Sequence, residues 1–377
     1  EEMAIDILHD LQQQYPDLQF SHCGDFRRKM QIVTTVDILV GTEQPQIIQT
    51  IKEKYHQHLA TFHFCSKELF YLKLLELSSA GAHYSFLSYK IDNSVVYDAE
   101  KSIYEAAGYP FIVPELRDNI LEWKMVEDGT LKDLITINDL KGIIHSHSKY
   151  SDGGNTLSEL AHYVKEQGFE YLVISDHSKS AFYANGMKAE TILEQHKEID
   201  KLNIELAPFK IFKSVESDIL IDGQLDYADD ILASFDLVIT SVHSVLKMTE
   251  EKAMQRLITA IENPYTTILG HLTGRLLLSR EGYPVDHQKI IDACAANNVC
   301  IELNANPYRL DIDYRWIDYC QNKNVLVSIN PDAHNLHGVH DIRFGINVAR
   351  KGGLLKQNTL NALTKNNFEK YLQQKCR

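Results

Sequence analysis

Gly142-Ile143-Ile144-His145-Ser146-His147 is a short β-rich run ending in two histidines, with Ser151-Asp152-Gly153 close behind it. From here the chain becomes regular. Six more β-rich runs follow, at Tyr171–Ser175, Lys210–Val215, Leu237–Val242, Thr267–Gly270, Cys300–Asn304 and Leu326–Ile329. Helical periodicity fills the gaps, as at Leu157–Gln167 and Glu251–Glu262. Strand-then-helix repeats of this kind predict a parallel-stranded α/β fold, most economically closed as a barrel. In such folds functional side chains gather at the C-terminal strand ends.

Those ends are where the chemistry-bearing residues lie. His145 and His147 end the first strand and Asp152 follows it; Asp176-His177 ends the second, Glu216 the third and His243 the fourth. His271 ends the fifth and Asp332-Ala333-His334 the seventh, while Ile301–Asn304, the sixth, supplies no evident ligand. Alone, each has a plain explanation: a strand-end histidine is most often a hydrogen-bonded structural residue, Asp152 a turn former, Asp332 a helix cap. As a set they converge on one rim, and His-x-His in an extended segment points both rings to the same side. Six imidazoles and three carboxylates suit Zn, Mn or Fe, and the lack of cysteine among them argues against a purely structural zinc site. So many ligands exceed one ion and suffice for three, and multi-metal sites are the usual solution to phosphoester hydrolysis. Three dications against three carboxylates leave positive charge for a phosphate. The other eleven of the 17 histidines, with Asp176, Asp218 and Glu302, are expected to be structural, Asp176 being the one candidate to support a ligand histidine. Lys149, Lys179, Lys247, Arg275, Arg280 and Arg309 are the cations near the rim.

At 377 residues the chain has room for two domains. A net charge of −14 means that any nucleic acid must be held by local Lys/Arg clusters or metal ions. The six cysteines, Cys376 included, are scattered without a C-x-x-C pair, as in a reducing compartment. No signal-peptide order opens the sequence, and no apolar run approaches the ~20 residues of a membrane helix, so a cytoplasmic location is expected. Before residue 98 the pattern predicts helices at 3–14, Gln46–Lys54 and Ser66–Ser78 and strands at Gln31–Val33 and Val36–Val40. Pro110, Pro114 and Asp128-Gly129 mark a connector. The expected division is 1–97, 98–136 and 137–377.

His145-x-His147, Ser151-Asp152-Gly153, Asp176-His177, Glu216, Ser241-Val242-His243-Ser244, Gly270-His271 and Asp332-Ala333-His334 resemble, in order and spacing, the PHP (polymerase and histidinol phosphatase) superfamily. Leu269-Gly270-His271-Leu272-Thr273-Gly274-Arg275, the run from Glu302 to Asp311, and Val113-Pro114-Glu115-Leu116-Arg117 resemble the C-terminal PHP domain of bacterial family X DNA polymerases. This resemblance spans roughly residues 100–377. It implies a distorted seven-stranded βα barrel holding three divalent transition-metal ions (Mn2+, Zn2+ or Fe2+). His145, His147, Glu216 and Asp332 would hold the first; Glu216 would bridge to a second held by His243 and His271; Asp152, His177 and His334 would hold the third. It also implies catalytic roles for Glu216, Asp332 and His334, and phosphate contacts from Arg275 and Arg309, whose guanidinium forks fit phosphate oxygens. Two departures stand out: Pro331 replaces the family's Thr beside Asp332, removing a hydroxyl and an N–H, and Gly352-Gly353 replaces Gly-Trp.

The N-terminal segment resembles the family's smaller α+β nucleotidyltransferase-like palm, through Gly24-Asp25-Phe26-Arg27-Arg28 and the run from Val33 to Val40. Lys67-Glu68-Leu69-Phe70-Tyr71 and Ser79-Ala80-Gly81-Ala82-His83 are similar to the helix and the Gly-Ser-x-x-His-Asn stretch that come next in the family. The carboxylates do not survive: Thr35 stands at the first Asp position, only Asp37 remains, and His56–Cys65 contains no acid. The expectation is a phosphoesterase acting on DNA 3′ ends, by 3′→5′ exonuclease action or 3′-end processing in repair, with a silent palm. A small-molecule phosphomonoesterase of the histidinol-phosphatase type and a non-catalytic DNA-binding scaffold are the alternatives.

Overall fold

The computed structural model describes residues 2–375, so Cys376 lies outside it. The chain divides into two compact units, Glu1–Lys132 and Asp133–Arg377.

In the first unit the helix Glu2–Gln14 buries Ala4, Ile7 and Leu11 at helical spacing. Beside it lies a three-stranded sheet of β1 (Phe20–Cys23), β2 (Val36–Gly41) and β3 (Ala60–Cys65). β1 runs antiparallel to β2, and β2 parallel to β3. Two expectations need correction here. Gln31–Val33 is irregular rather than a strand, since the chain turns at Lys29, whose φ is 56°. The apolar helix is also shorter than expected, at Phe70–Leu77. β1 has no signature in the sequence, because four residues are too few to show alternation.

The second unit is a seven-stranded parallel sheet in strictly sequential order, β4 (Gly142–Ser146), β5 (Tyr171–Ile174), β6 (Lys210–Asp218), β7 (Leu237–Ser241), β8 (Thr266–Leu269), β9 (Cys300–Asn304) and β10 (Val327–Asn330). A parallel bridge between Ser146 and Ala333 joins the two edges into a nearly closed barrel. Alternation separates two cores. Ile143, Leu172, Ile174, Ile211 and Val238 pack outward in the larger cluster beside Leu160, Ile199 and Leu257 of the surrounding helices. Ile144, Tyr171, Val173, Phe212, Leu237, Ile239, Ile268 and Cys300 fill the interior, with Phe368 and Leu372 of the helix Lys365–Lys375. Phe368 stacks on Tyr171 at 4.7 Å between centroids. The close approach of Tyr171 explains Gly142: a Cβ there would lie 2.0 Å from its ring.

Each interior face changes character along the strand. Phe212 is followed on its own face by Ser214, Glu216 and Asp218, and Tyr171 and Val173 by Ser175 and His177. Leu237 and Ile239 lead to Ser241 and His243. The apolar half fixes the register, and the register then delivers the polar half to the C-terminal mouth.

Candidate metal centre

All nine candidate ligands meet at that mouth. Glu216 lies at the centre, buried, with its carboxylate close to five imidazoles. His271 Nε2 is 2.9 Å from it, His177 Nδ1 3.0 Å, His243 Nε2 3.2 Å, His145 Nε2 3.4 Å and His147 Nε2 3.7 Å. His147 Nε2 also lies 3.1 Å from Asp332 Oδ1. Asp152 is 3.7 Å from His177 and 3.5 Å from His334. Three groups have ligand atoms within 4.8 Å of one another: His147, Asp152, His177 and His334; His145, His147 and Asp332; His177, Glu216 and His243. His271 stands outside these groups but touches Glu216.

The donor atoms suit metal ions. His145 Nε2, His147 Nδ1, His177 Nδ1 and His271 Nδ1 are buried without a hydrogen-bond partner, a costly state unless a cation is ligated. Charge points the same way. Burial opposes ionisation of Glu216, yet His243, His145 and His177 hold its carboxyl well below the usual range. Burial likewise opposes the charge of Asp332, and His145 and His147 overcome it. Burial depresses His243, but Glu216 and Asp218 push it up to about 10. His147, buried and beside His177, is pushed down to about 3. Such a carboxylate cluster is stable only when cations compensate it, and divalent ions supply that charge.

Two of the candidate ligands also carry backbone strain. His145 and Asp332 have φ of 68° and 52°, and the pairing of β4 with β5 shifts register between Ile143 and Ser146. Left-handed conformations at such residues cost about 1–2 kcal/mol each. The barrel closure holds both: Ala333 N donates to His145 O at 3.3 Å, and His147 N to Ala333 O at 2.8 Å.

Three carboxylates expected to be ordinary turn out to organise the site. Glu302 Oε2 accepts from His145 Nδ1 at 2.5 Å and Asn330 Nδ2 at 2.8 Å, and Oε1 accepts from His271 N at 3.0 Å and Asn304 Nδ2 at 2.9 Å. Asp218 bonds His243 Nδ1 and turns its Nε2 toward Glu216. Asp176 supports no ligand ring. It fastens the loop between His147 and Asp152, accepting from Ser148 N at 2.7 Å, Ser148 Oγ at 2.7 Å and Ser151 Oγ at 2.6 Å. Burial raises its carboxyl to about 6. The available signal was period two: Asp218 and Glu302 share the interior faces of their strands with Glu216 and Asn304. Asn304 also donates to Asp332 Oδ2 at 3.1 Å, beside Pro331.

The two arginines part company. Arg309 Nε lies 3.8 Å from Asp332 Oδ2, so its guanidinium overlooks the ligands. Arg275 donates to the carbonyls of Arg309 (2.9 Å) and Leu310 and pairs with Asp313 at 3.0 Å, so it braces the loop carrying Arg309.

A parallel barrel with this ligand cluster at its C-terminal mouth defines a PHP-type hydrolase of phosphate esters that uses divalent metal ions. The PHP domain family matches residues 144–306. The DNA polymerase/3′-5′ exonuclease PolX of Bacillus subtilis is 32% identical over 408 residues, covering 98% of this chain and 71% of that protein. The chain belongs to this family of bacterial family X DNA polymerases with a PHP domain. A probable phosphatase of Thermoanaerobacter sp. (strain X514) is 24% identical over 251 residues, 63% of this chain and 97% of that one. The solved structure of histidinol phosphate phosphatase from Lactococcus lactis, complexed with zinc, L-histidinol and phosphate, aligns with a TM-score of 0.41 at 19% identity, over 55% of this chain and 93% of that one.

Proposed function

We propose that this chain is a metal-dependent 3′→5′ exonuclease or 3′-end processing enzyme acting on DNA, with residues 1–97 a catalytically silent palm, 98–136 a connector and 137–377 the hydrolase. The carrying observation is the extent of likeness: the exonuclease PolX matches 98% of the chain, the probable phosphatase 63%. Bound divalent ions supply Lewis-acid activation of the phosphate and lower the pKa of an attacking water. His145, His147, Asp152, His177, Glu216, His243, His271, Asp332 and His334 would hold the ions, three of them in this reading, with Glu216 at the centre of the set. Glu302 and Asp218 orient His145 and His243. Arg309 meets a phosphate oxygen, and Arg275 keeps the Arg309 loop in place. Purified protein with Mn2+ should degrade single-stranded DNA or clear 3′-phosphate DNA much faster than it turns over histidinol phosphate; the reverse order would favour the small-molecule reading.

Elemental analysis after gentle purification should find about three transition-metal ions per chain, with two as the lower limit. One or none, even after reconstitution with Mn2+ or Zn2+, would sink the trinuclear assignment. Arg309→Ala should lower kcat/KM about 10- to 100-fold, since it removes a charged donor to the phosphate. Arg275→Ala should act through loop order instead, with a lower melting temperature. Equal melting temperatures for the two variants would contradict that division.

The palm is read as silent because it lacks carboxylates to hold Mg2+ at a triphosphate. Thr35 is exposed just before β2, Asp37 Oδ1 meets His63 Nε2 at 2.8 Å, and β3, Ala60–Cys65, bears no acid. No template-directed incorporation of nucleotides is expected with Mg2+ or Mn2+, even when Glu216→Gln protects the primer. Primer extension that disappears in Asp37→Ala would overturn this.

A further inference from the structure

Between His177 and Met187 the chain makes a tight loop that is fastened on all sides. Met187 N donates to His177 O at 2.8 Å, Gly186 N to Ala181 O at 3.1 Å, and Ala184 N to Ala181 O at 3.0 Å. Ser180 donates from N to Asp226 Oδ2 at 2.7 Å and from Oγ to Asp218 Oδ2 at 2.8 Å, while Lys179 N donates to Tyr227 Oη at 3.1 Å. Gly186 is required, since a Cβ there would lie 1.9 Å from Ser178 O. This hydrogen-bonded frame holds a 3-10 turn, Phe182–Ala184, whose aromatics stand in solvent: Phe182 is 87% exposed and Tyr183 69%. A loop with this many hydrogen bonds gains little for its own stability from two exposed rings, and adjacent exposed aromatics suit a contact surface.

Their placement says what they meet. Tyr183 leans over the metal centre, its ring 6.3 Å from that of the candidate ligand His177. Phe182 lines a groove of about 790 Å³ with Tyr150, Lys179, Lys188 and Asp226. Tyr150 lies two residues before Asp152 and Lys179 two after His177, so the groove opens from the ligand loops themselves. Asp226 is occupied by Ser180 N. Neither Lys179 nor Lys188 is in an ion pair among the described residues, although the chain carries a net charge of −14. Aromatic faces flanked by ammonium groups, beside a phosphate-cleaving centre, are the chemistry of a nucleotide slot. Stacking reads no sequence, because every base has a π-face.

We propose that this groove holds the nucleoside next to the phosphate being cleaved at the end of a single-stranded nucleic acid, with Phe182 stacked on its base and Lys179 and Lys188 against its backbone. The inference rests on the DNA-end reading above and adds a specificity subsite to it. A preordered loop costs little to bind through. A phosphate ester without a base gains nothing from the groove.

The test compares a labelled single-stranded oligonucleotide with bis(4-nitrophenyl) phosphate, both with Mn2+. Phe182→Ala should lower kcat/KM on the oligonucleotide about 10-fold, chiefly through KM, leave the aryl ester within about twofold, and be rescued by Phe182→Trp. An oligonucleotide whose terminal nucleoside is abasic should already show the loss, and Phe182→Ala should add nothing to it. An oligonucleotide rate unchanged by Phe182→Ala, or equal losses on both substrates, overturns the groove while leaving the exonuclease reading intact. Wild-type protein that cleaves the aryl ester but no oligonucleotide overturns that reading, and the groove's assignment with it.

Discussion

Glu216→Gln is expected to lower phosphoester hydrolysis by about 1,000-fold or more with the barrel still folded. Among the described residues, Glu216 is the one carboxylate within 3.7 Å of five candidate ligand histidines. An amide has nearly the same shape, so the interior face of β6 still packs Phe212 and Ser214 as before. What changes is charge and polarity. The anion among five candidate ligand imidazoles becomes neutral, and one oxygen becomes an N–H donor aimed at groups that need an acceptor. Losing ~4 kcal/mol of transition-state stabilisation corresponds to the stated factor. The check is kcat on bis(4-nitrophenyl) phosphate and on DNA, with circular dichroism and metal content on the same preparation. A rate near wild type would place the catalytic ions away from β6.

The barrel's geometry decides how much of this was legible in the sequence. The candidate ligands sit at or just past strand ends, and strand ends can be found from β-rich runs alone, which is why all nine stand out in the bare sequence. The residues behind them were harder. Asp218 and Glu302 belong to the faces Phe212-Ser214-Glu216-Asp218 and Cys300-Glu302-Asn304, and only counting by two from the apolar base exposes them. Their partners, His243 and His145, come from other strands, and those pairings depend on the stagger of a closing sheet. Arg275 and Arg309 were indistinguishable in sequence, since both follow strand ends and carry the same charge. The fold of the loop around Leu310 separates them, by turning two carbonyls and Asp313 toward Arg275. In the first unit β1 escaped notice because Phe20–Cys23 is a strand only through its partner: Ser21 and Cys23 face Leu39 and Asp37 across the ladder. The loop at 178–187 offered no periodic pattern at all, and its exposed aromatics gain meaning only from the cluster beside them.

The second large effect is expected at Glu302, a residue that touches no proposed ion. Fully buried, it accepts four hydrogen bonds: from His145 Nδ1, Asn330 Nδ2, His271 N and Asn304 Nδ2. All four neighbours present N–H groups to it in this arrangement, so only a carboxylate, which accepts at both oxygens, satisfies them together. In Glu302→Gln one of those positions becomes NH2 and faces donors. If the amide nitrogen lies toward His145, the imidazole relieves the clash by moving its proton to Nε2, the nitrogen that points at Glu216 and Asp332. That nitrogen then cannot ligate. If it lies toward His271 N, the backbone that carries His271 is displaced instead. Either way the ligand set is disturbed although no candidate ligand residue is replaced, and changes at such supporting residues typically cost 10- to 100-fold in metal affinity. The midpoint for activation of the apo-protein by Mn2+ should therefore rise by about that factor, with much of kcat recovered at excess metal. That recovery separates a positioning role from misfolding, which added metal would not reverse. A Mn2+ midpoint equal to wild type would show that His145 keeps its orientation without Glu302.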